Sequence, residues 1–153
     1  MVNFFGEYFS RVDDKGRMVL PSRLKNTLPA GSDLRFVVRK DLFQPCLQMI
    51  PYEEWEKRAG AVQESLDLTF NRNDAVFWRE YMRNCDVVEP DAKLGRINLP
   101  RKFLSHIGID ELKKDVVFSG NGFMIEIWSR DAWEASEISN DEIIAIAESH
   151  SRK

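Results

Sequence analysis

Histidine and cysteine are scarce. The 153 residues hold two of each, His106 and His150, Cys46 and Cys85. There is no CxxC pair, and neither histidine has a ligand-type partner at metal-binding spacing, so the common zinc patterns are excluded. Two isolated thiols fit a reducing compartment. No metal and no other cofactor is expected. Long apolar runs are also missing, and none approaches the roughly 20 residues of a membrane span. The start, Met1-Val2-Asn3-Phe4-Phe5-Gly6-Glu7, lacks a basic segment followed by a long apolar one. It does not read as a signal peptide, so a cytoplasmic location is expected. No stretch rich in Gly, Ser or Pro divides the chain, which predicts one compact body. The adjacent carboxylates Asp13 and Asp14 stand without a nucleophile, metal ligand or Gly-rich phosphate loop nearby, so neither catalysis nor a small-molecule substrate is expected.

What the chain does contain is one stretch twice. Asp13-Asp14-Lys15-Gly16-Arg17-Met18-Val19-Leu20-Pro21 returns as Asp91-Ala92-Lys93-Leu94-Gly95-Arg96-Ile97-Asn98-Leu99-Pro100. Gly, Arg, Leu and Pro keep an offset of 79 positions. Self-similarity of this kind points to a duplicated unit. Each copy reads as a charged turn, a short strand and a helix start. Ile97 and Leu99 alternate with Arg96 and Asn98, the period of a strand with one buried face. By the same parity Met18 and Leu20 point inward and Arg17 outward. Pro21 and Pro100 suit the first position of a helix.

Around these stretches the order also repeats. Residues 2–12 and 82–88 read as strands leading into each motif. Helices are expected at 22–28 and around Phe103, Leu104 and Ile107. Hairpins follow at 34–39 with 46–50, and at 116–119 with 123–128 across a Gly120-Asn121-Gly122 turn. Pro51 and Ser129 open helices that carry Trp55 and Trp133, 78 positions apart, each expected to pack its helix onto its own half. Residues 56–68 and 74–81 look helical. Ile143, Ile144, Ile146 and Ala147 predict an apolar stripe in an acidic tail. Most of the aromatics Phe4, Phe5, Phe9, Phe77, Trp78 and Tyr81 are expected in the core.

The net charge is −3, but it is unevenly placed. Residues 11–25 and 91–102 together carry +6 and the remainder −9. Basic islands on an acidic body are an electrostatic footprint for a polyanion. Arg17 and Arg96 have two open readings: a salt bridge to Asp13 or Asp91 in the same turn, or a guanidinium fork aimed at a guanine edge, with the aspartate as its orienter. Lys15 and Lys93 suit phosphate contact. Arg11, Arg101, Arg23 and Lys102 are further candidates.

Two copies of D-x-x-G-R-x-x-L-P, each followed by a hairpin and a Trp-bearing helix, resemble the MraZ family over nearly the whole chain. The resemblance implies an α+β fold of the AbrB-like, swapped-hairpin type, in which two tandem repeats, residues 1–70 and 71–153, build one β-barrel with flanking helices. It implies a bacterial, nucleoid-associated regulator of transcription, not an enzyme. Its partner would be double-stranded DNA with repeated sites upstream of the division and cell-wall gene cluster that includes its own gene. It also implies a ring-shaped homo-oligomer. The family's acid-to-arginine pattern falls on Asp13 and Arg17. In the second copy Leu94 is an insertion, and Asp91 and Arg96 stand five apart. An AbrB-like antitoxin and a non-DNA interaction protein are the rival readings.

Overall fold

The computed structural model describes residues 2–151. Its first half runs β1 (Glu7–Arg11), β2 (Arg17–Val19), α1 (Ser22–Lys25), β3 (Phe36–Lys40), β4 (Cys46–Pro51) and α2 (Tyr52–Glu64). After α3 (Arg72–Arg83) the same order returns as β5 (Cys85–Val88), β6 (Arg96–Asn98), α4 (Arg101–His106), β7 (Asp115–Asn121), β8 (Met124–Ser129) and α5 (Arg130–Ala135). The helix α6 (Asn140–Ser151) closes the described chain. Asn71 caps α3 by accepting from the Asp74 N–H at 3.1 Å, and Ser129 caps α5 through the Ala132 N–H at 3.1 Å.

The strands pair across the halves. Six form one antiparallel sheet in the order β1-β7-β8-β4-β3-β5. The lead-in strand β1 lies on β7 of the later hairpin, and the lead-in strand β5 lies on β3 of the earlier one. At the centre β4 meets β8, with Gln48 opposite Glu126. The motif strands β2 and β6 pair only with each other, as a separate two-stranded ribbon.

The expected barrel is therefore not a closed hydrogen-bonded cylinder. β1 and β5 are free edges, and the ribbon is a second layer. Strands of three residues that run into Leu20-Pro21 and Leu99-Pro100 are too short to bridge those edges, and proline offers no N–H to extend them. Between ribbon and sheet lies the core. Met18, Leu20, Ile97 and Leu99 come from the ribbon, Phe36, Met49, Phe118 and Ile127 from the sheet, and Leu24, Phe103 and Ile107 from the segments after each proline. The other face of the sheet buries Val37, Cys46, Val117 and Trp128, and α2 and α5 pack over it.

Several expectations shift by a few residues. α3 continues to Arg83, so Met82 and Arg83 are helical and the lead-in strand starts at Cys85. α2 stops at Glu64. Pro21 and Pro100 occupy the N-cap, one place before the helix, with extended ψ of 131° and 150°. Trp133 packs edge-on against Trp128 at 5.8 Å and donates its indole N–H to Glu7 at 2.8 Å, a link between α5 and β1. Phe4 fills the core, while Phe5 and Phe9 are exposed. The Ile143, Ile144 and Ile146 side chains of α6 are exposed as well.

Gly120 also differs from its expected role. It lies inside β7, and the tight turn is Gly122-Phe123, closed by the Asn121–Met124 pair. Gly120 is required because the N-terminal segment crosses it: a Cβ there would sit 2.4 Å from Phe5 N and 2.6 Å from Phe4 C. The same crossing is held by Phe4 N–H to Gly122 O at 2.7 Å and Gly120 N–H to Gly6 O at 2.8 Å. Gly120→Ala is expected to lower unfolding stability by about 1–3 kcal/mol through this overlap. Gly60→Ala, inside α2 with open space at its Cβ, is expected to raise stability by about 0.5–1 kcal/mol. Urea unfolding of the two variants checks the pair.

Candidate functional site

Each motif turn is organised by its aspartate. In the first, Asp13 Oδ1 accepts from the N–H groups of Lys15 and Arg17, both at 2.9 Å, and Oδ2 accepts from Arg17 Nε at 2.9 Å. In the second, Asp91 Oδ1 accepts from Lys93 N–H at 3.1 Å and Leu94 N–H at 2.7 Å. Its Oδ2 accepts from Arg96 N–H at 3.2 Å and Arg96 Nε at 3.0 Å. The extra residue Leu94 is absorbed in the loop and the Asp–Arg pair is kept. Gly16 and Gly95 turn the chain with φ of +79° and +68°, a region that favours glycine.

These bonds shift the carboxyls. Asp13 is held below the ordinary carboxylate range, first by the Arg17 N–H, then by the Lys15 N–H and the guanidinium. Asp91 is lowered to about 2, first by the Leu94 N–H, then by the Arg96 side chain and N–H. Both turns therefore carry a fixed negative charge behind the arginine. In each arginine Nε is bound to the aspartate, and the two Nη groups have no hydrogen-bond partner among the described residues. The two readings of Arg17 and Arg96 are thus compatible: one side of the fork is structural and the other is free.

The ribbon decides where these forks go. Arg17 pairs with Asn98, Met18 with Ile97 and Val19 with Arg96. Met18 and Ile97 are buried, so Arg17, Val19, Arg96 and Asn98 share the outward face. The arginines sit diagonally, displaced by two residues or roughly 7 Å along the strands. Two bonds extend the ribbon to its turns, Leu20 N–H to Gly95 O at 2.9 Å and Leu99 N–H to Gly16 O at 3.1 Å. One turn thus stands at each end. Lys15 and Lys93 are exposed at the tips.

The remaining candidates divide. Arg101 is exposed and lines a groove with Lys15, Gly16, Leu99 and Lys114, beside the first turn and not beside Arg96. The antiparallel pairing causes this: the end of β6 lies against Gly16. Arg11 is ion-paired with Asp115 at 3.2 Å on the sheet. Lys102 donates to Arg83 O at 3.2 Å. Arg23 lines a shallow cleft with Phe9 and Val19 between β1 and the ribbon. Lys114 lines the same groove as Arg101, a position that the motif did not mark. It pairs with Asp14 and pulls that carboxyl below its usual range. Its contact spans 100 positions, and nothing in the local sequence announces it.

Among the described residues, Asp41, Cys46 and Glu126 place ligand atoms within 4.8 Å of one another. Their bonds are internal. Asp41 Oδ1 accepts from Phe43 and Gln44 N–H at 2.8 and 3.0 Å, and Oδ2 accepts from the Gln48 amide at 2.9 Å. Glu126 accepts from the Trp128 indole at 3.1 Å. Burial and the two carboxylates push the Cys46 thiol far above its ordinary range, away from the thiolate that binds metal. The group is a polar knot under the β3–β4 turn. No helix among the described residues is long and apolar enough to cross a membrane.

Residues 82–150 match the MraZ family model, described as "MraZ protein, putative antitoxin-like". Curated proteins named Transcriptional regulator MraZ are similar over most of the chain. That of Bacteroides thetaiotaomicron is 32% identical over 148 residues, covering 97% of this chain and 92% of the relative. That of Lachnoclostridium phytofermentans is 36% identical over 142 residues, with 93% and 92% covered. That of Heliobacterium modesticaldum is 39% identical over 132 residues, with 85% and 83% covered.

The order of causes at Asp91 has a measurable consequence. Its carboxyl is depressed in the folded state, so its contribution to stability is present above the unfolded value near 4 and is lost as pH falls through about 2. Because the Leu94 N–H is the largest cause, Arg96→Ala is expected to leave the Asp91 carboxyl still below the ordinary range. Side-chain carboxyl NMR between pH 5 and pH 1.5 checks this; a return to the ordinary value would make the guanidinium the dominant partner.

Proposed function

The chain belongs to the MraZ family, and from that membership we propose that it is a sequence-specific regulator of transcription that grips double-stranded DNA with the outward face of its motif ribbon. One observation supports this most: two aspartate-braced arginine forks on one exposed face, with a lysine at the turn beside each. A two-stranded ribbon fits the major groove, and a free guanidinium edge matches O6 and N7 of guanine. Lys15, Lys93 and Arg101 supply phosphate contacts that set register without reading sequence. Arg11, already paired with Asp115, contributes to the field and not to a direct contact.

In this reading the exchanged strands are the swapped hairpins of an AbrB-like fold, with residues 1–70 and 71–153 as its two repeats. The protein works in the cytoplasm at the nucleoid, without catalysis of its own. Its sites are repeats upstream of the division and cell-wall gene cluster that includes its own gene. The +6 charge of the motif segments is small for tight binding. A ring of identical subunits would engage several repeats together and gain affinity through effective concentration.

Fluorescence anisotropy on the DNA upstream of the protein's own gene, and on a scrambled duplex of equal length, tests this across salt concentrations. Tight, salt-sensitive binding to the first alone is expected. Arg17→Ala is expected to weaken specific binding by about 5- to 150-fold per engaged site, the worth of one bidentate guanine contact. Lys15→Ala is expected to weaken both duplexes alike and to reduce the salt slope by about 0.9 per lost phosphate contact. Salt-insensitive or absent binding by the folded wild type would remove DNA as the partner.

A further inference from the structure

The two turns are not equivalent, and the difference is a side chain. We propose that Leu94 is a base-reading residue: its side chain contacts the C5 methyl group of a thymine next to the guanine taken by Arg96. This rests on the reading of the ribbon face as the DNA-binding face.

Leu94 has no counterpart in the first turn, where four positions separate Asp13 and Arg17 against five between Asp91 and Arg96. The insertion lengthens the tip. The surroundings of the two glycines show the result. A Cβ on Gly16 would meet Leu99 O at 3.1 Å, so the first turn lies against the other strand, whereas a Cβ on Gly95 would meet nothing within 4 Å. Both turns are bonded across the ribbon, the second through Leu20 N–H to Gly95 O at 2.9 Å, so the difference lies in the open side of the second turn and not in its attachment. Leu94 is 61% exposed at that tip, between Lys93 and Gly95.

A lone exposed leucine is ordinary on a protein surface. This one is held. Its N–H donates to Asp91 Oδ1 at 2.7 Å, the shortest bond to that carboxylate, and the neighbouring Lys93 and Gly95 N–H groups bond Asp91 Oδ1 and Asp91 O, both at 3.1 Å. The same carboxylate holds the Arg96 fork at 3.0 Å. One carboxylate thus anchors the backbone that carries Leu94 and the Arg96 guanidinium fork, so the two side chains project from a shared, fixed base. In the major groove the apolar feature of a base edge is the thymine methyl. An apolar residue beside a guanine-reading fork is placed for a guanine–thymine step. The first turn, with acidic Asp14 beside Lys15, offers no such group. The two ends of the ribbon then read different base steps, and the site is asymmetric although the fold is nearly two-fold.

Duplexes selected by the wild-type protein from a randomised pool are the probe. Each thymine is replaced in turn by deoxyuridine, which removes the C5 methyl and leaves the hydrogen-bonding edge intact. The wild type is expected to lose about 3- to 10-fold in affinity at one thymine adjoining a guanine. Leu94→Ala should lose a similar factor on the unmodified duplex and show no further loss with deoxyuridine, and Leu94→Met should retain most of the methyl sensitivity. Wild-type affinity in Leu94→Ala, or weakened binding with undiminished methyl sensitivity, overturns the assignment. A changed oligomer size in Leu94→Ala with methyl sensitivity intact overturns it in favour of a subunit contact. If the wild type selects no sequence, the reading of the whole face falls, and this inference with it.

Discussion

The antiparallel pairing of β2 with β6 is the constraint on which the rest depends. It is only three residues long, yet both motif turns hang from its ends, through the Leu20–Gly95 and Leu99–Gly16 backbone bonds. Its inner face, Met18 and Ile97 with Leu20 and Leu99 beyond, is part of the core. Its outer face carries the arginines. A ribbon so short is not stable in water by itself. Burial of one side against the six-stranded sheet holds it, and the order of the outer side follows from that burial. The lead-in strands β1 and β5 reinforce this by crossing to the opposite hairpins, so each motif is tied to both halves of the chain.

Much of this was legible in the sequence because it rests on local rules. The alternation Arg96, Ile97, Asn98, Leu99 gives the faces of the ribbon directly. The spacing Asp13 to Arg17 and the turn glycines give the braced fork. What was not legible depends on partners far along the chain. Arg101 follows the second motif in sequence but stands beside the first turn, because the strands run antiparallel. Lys114 meets Asp14 across 100 positions. Gly120 resembles a turn glycine and is in fact a crossing point for Phe4 and Phe5. The barrel expected from family resemblance was too strong a statement of closure. Local pattern fixed the strands, and only the tertiary arrangement shows that the hydrogen-bonded ladder stays open at β1 and β5.

The acidic residues inside the basic islands deserve a physical account, since they oppose binding to a polyanion. Asp13 and Asp91 cost the face two positive charges. In return they fix two long side chains that would otherwise lose much rotamer freedom on binding. Their carboxyls are kept ionised by backbone N–H groups, and only one edge of each guanidinium is used. A free lysine in the same place would contribute more net charge but no fixed geometry. The division of labour follows: braced arginines suit discrimination between bases, and unbraced Lys15 and Lys93 suit attraction to phosphate.

The charge of the whole molecule then supports the same argument. If the ribbon is the DNA-binding face, as proposed, the −9 carried outside the motif segments disfavours DNA contact elsewhere. Part of the +6 of the motif segments also lies off the ribbon, with Arg11 paired to Asp115 and Lys102 bonded to the Arg83 carbonyl, so the proposed DNA-binding face is weak on its own. In the proposed ring, that weakness favours discrimination: each face alone would dissociate readily, and only DNA with correct sites at matching spacing would hold several at once. Under this arrangement the strength of any one contact matters less than the agreement among them. The rigidity of the ribbon, set by its buried inner face, is what makes such agreement possible.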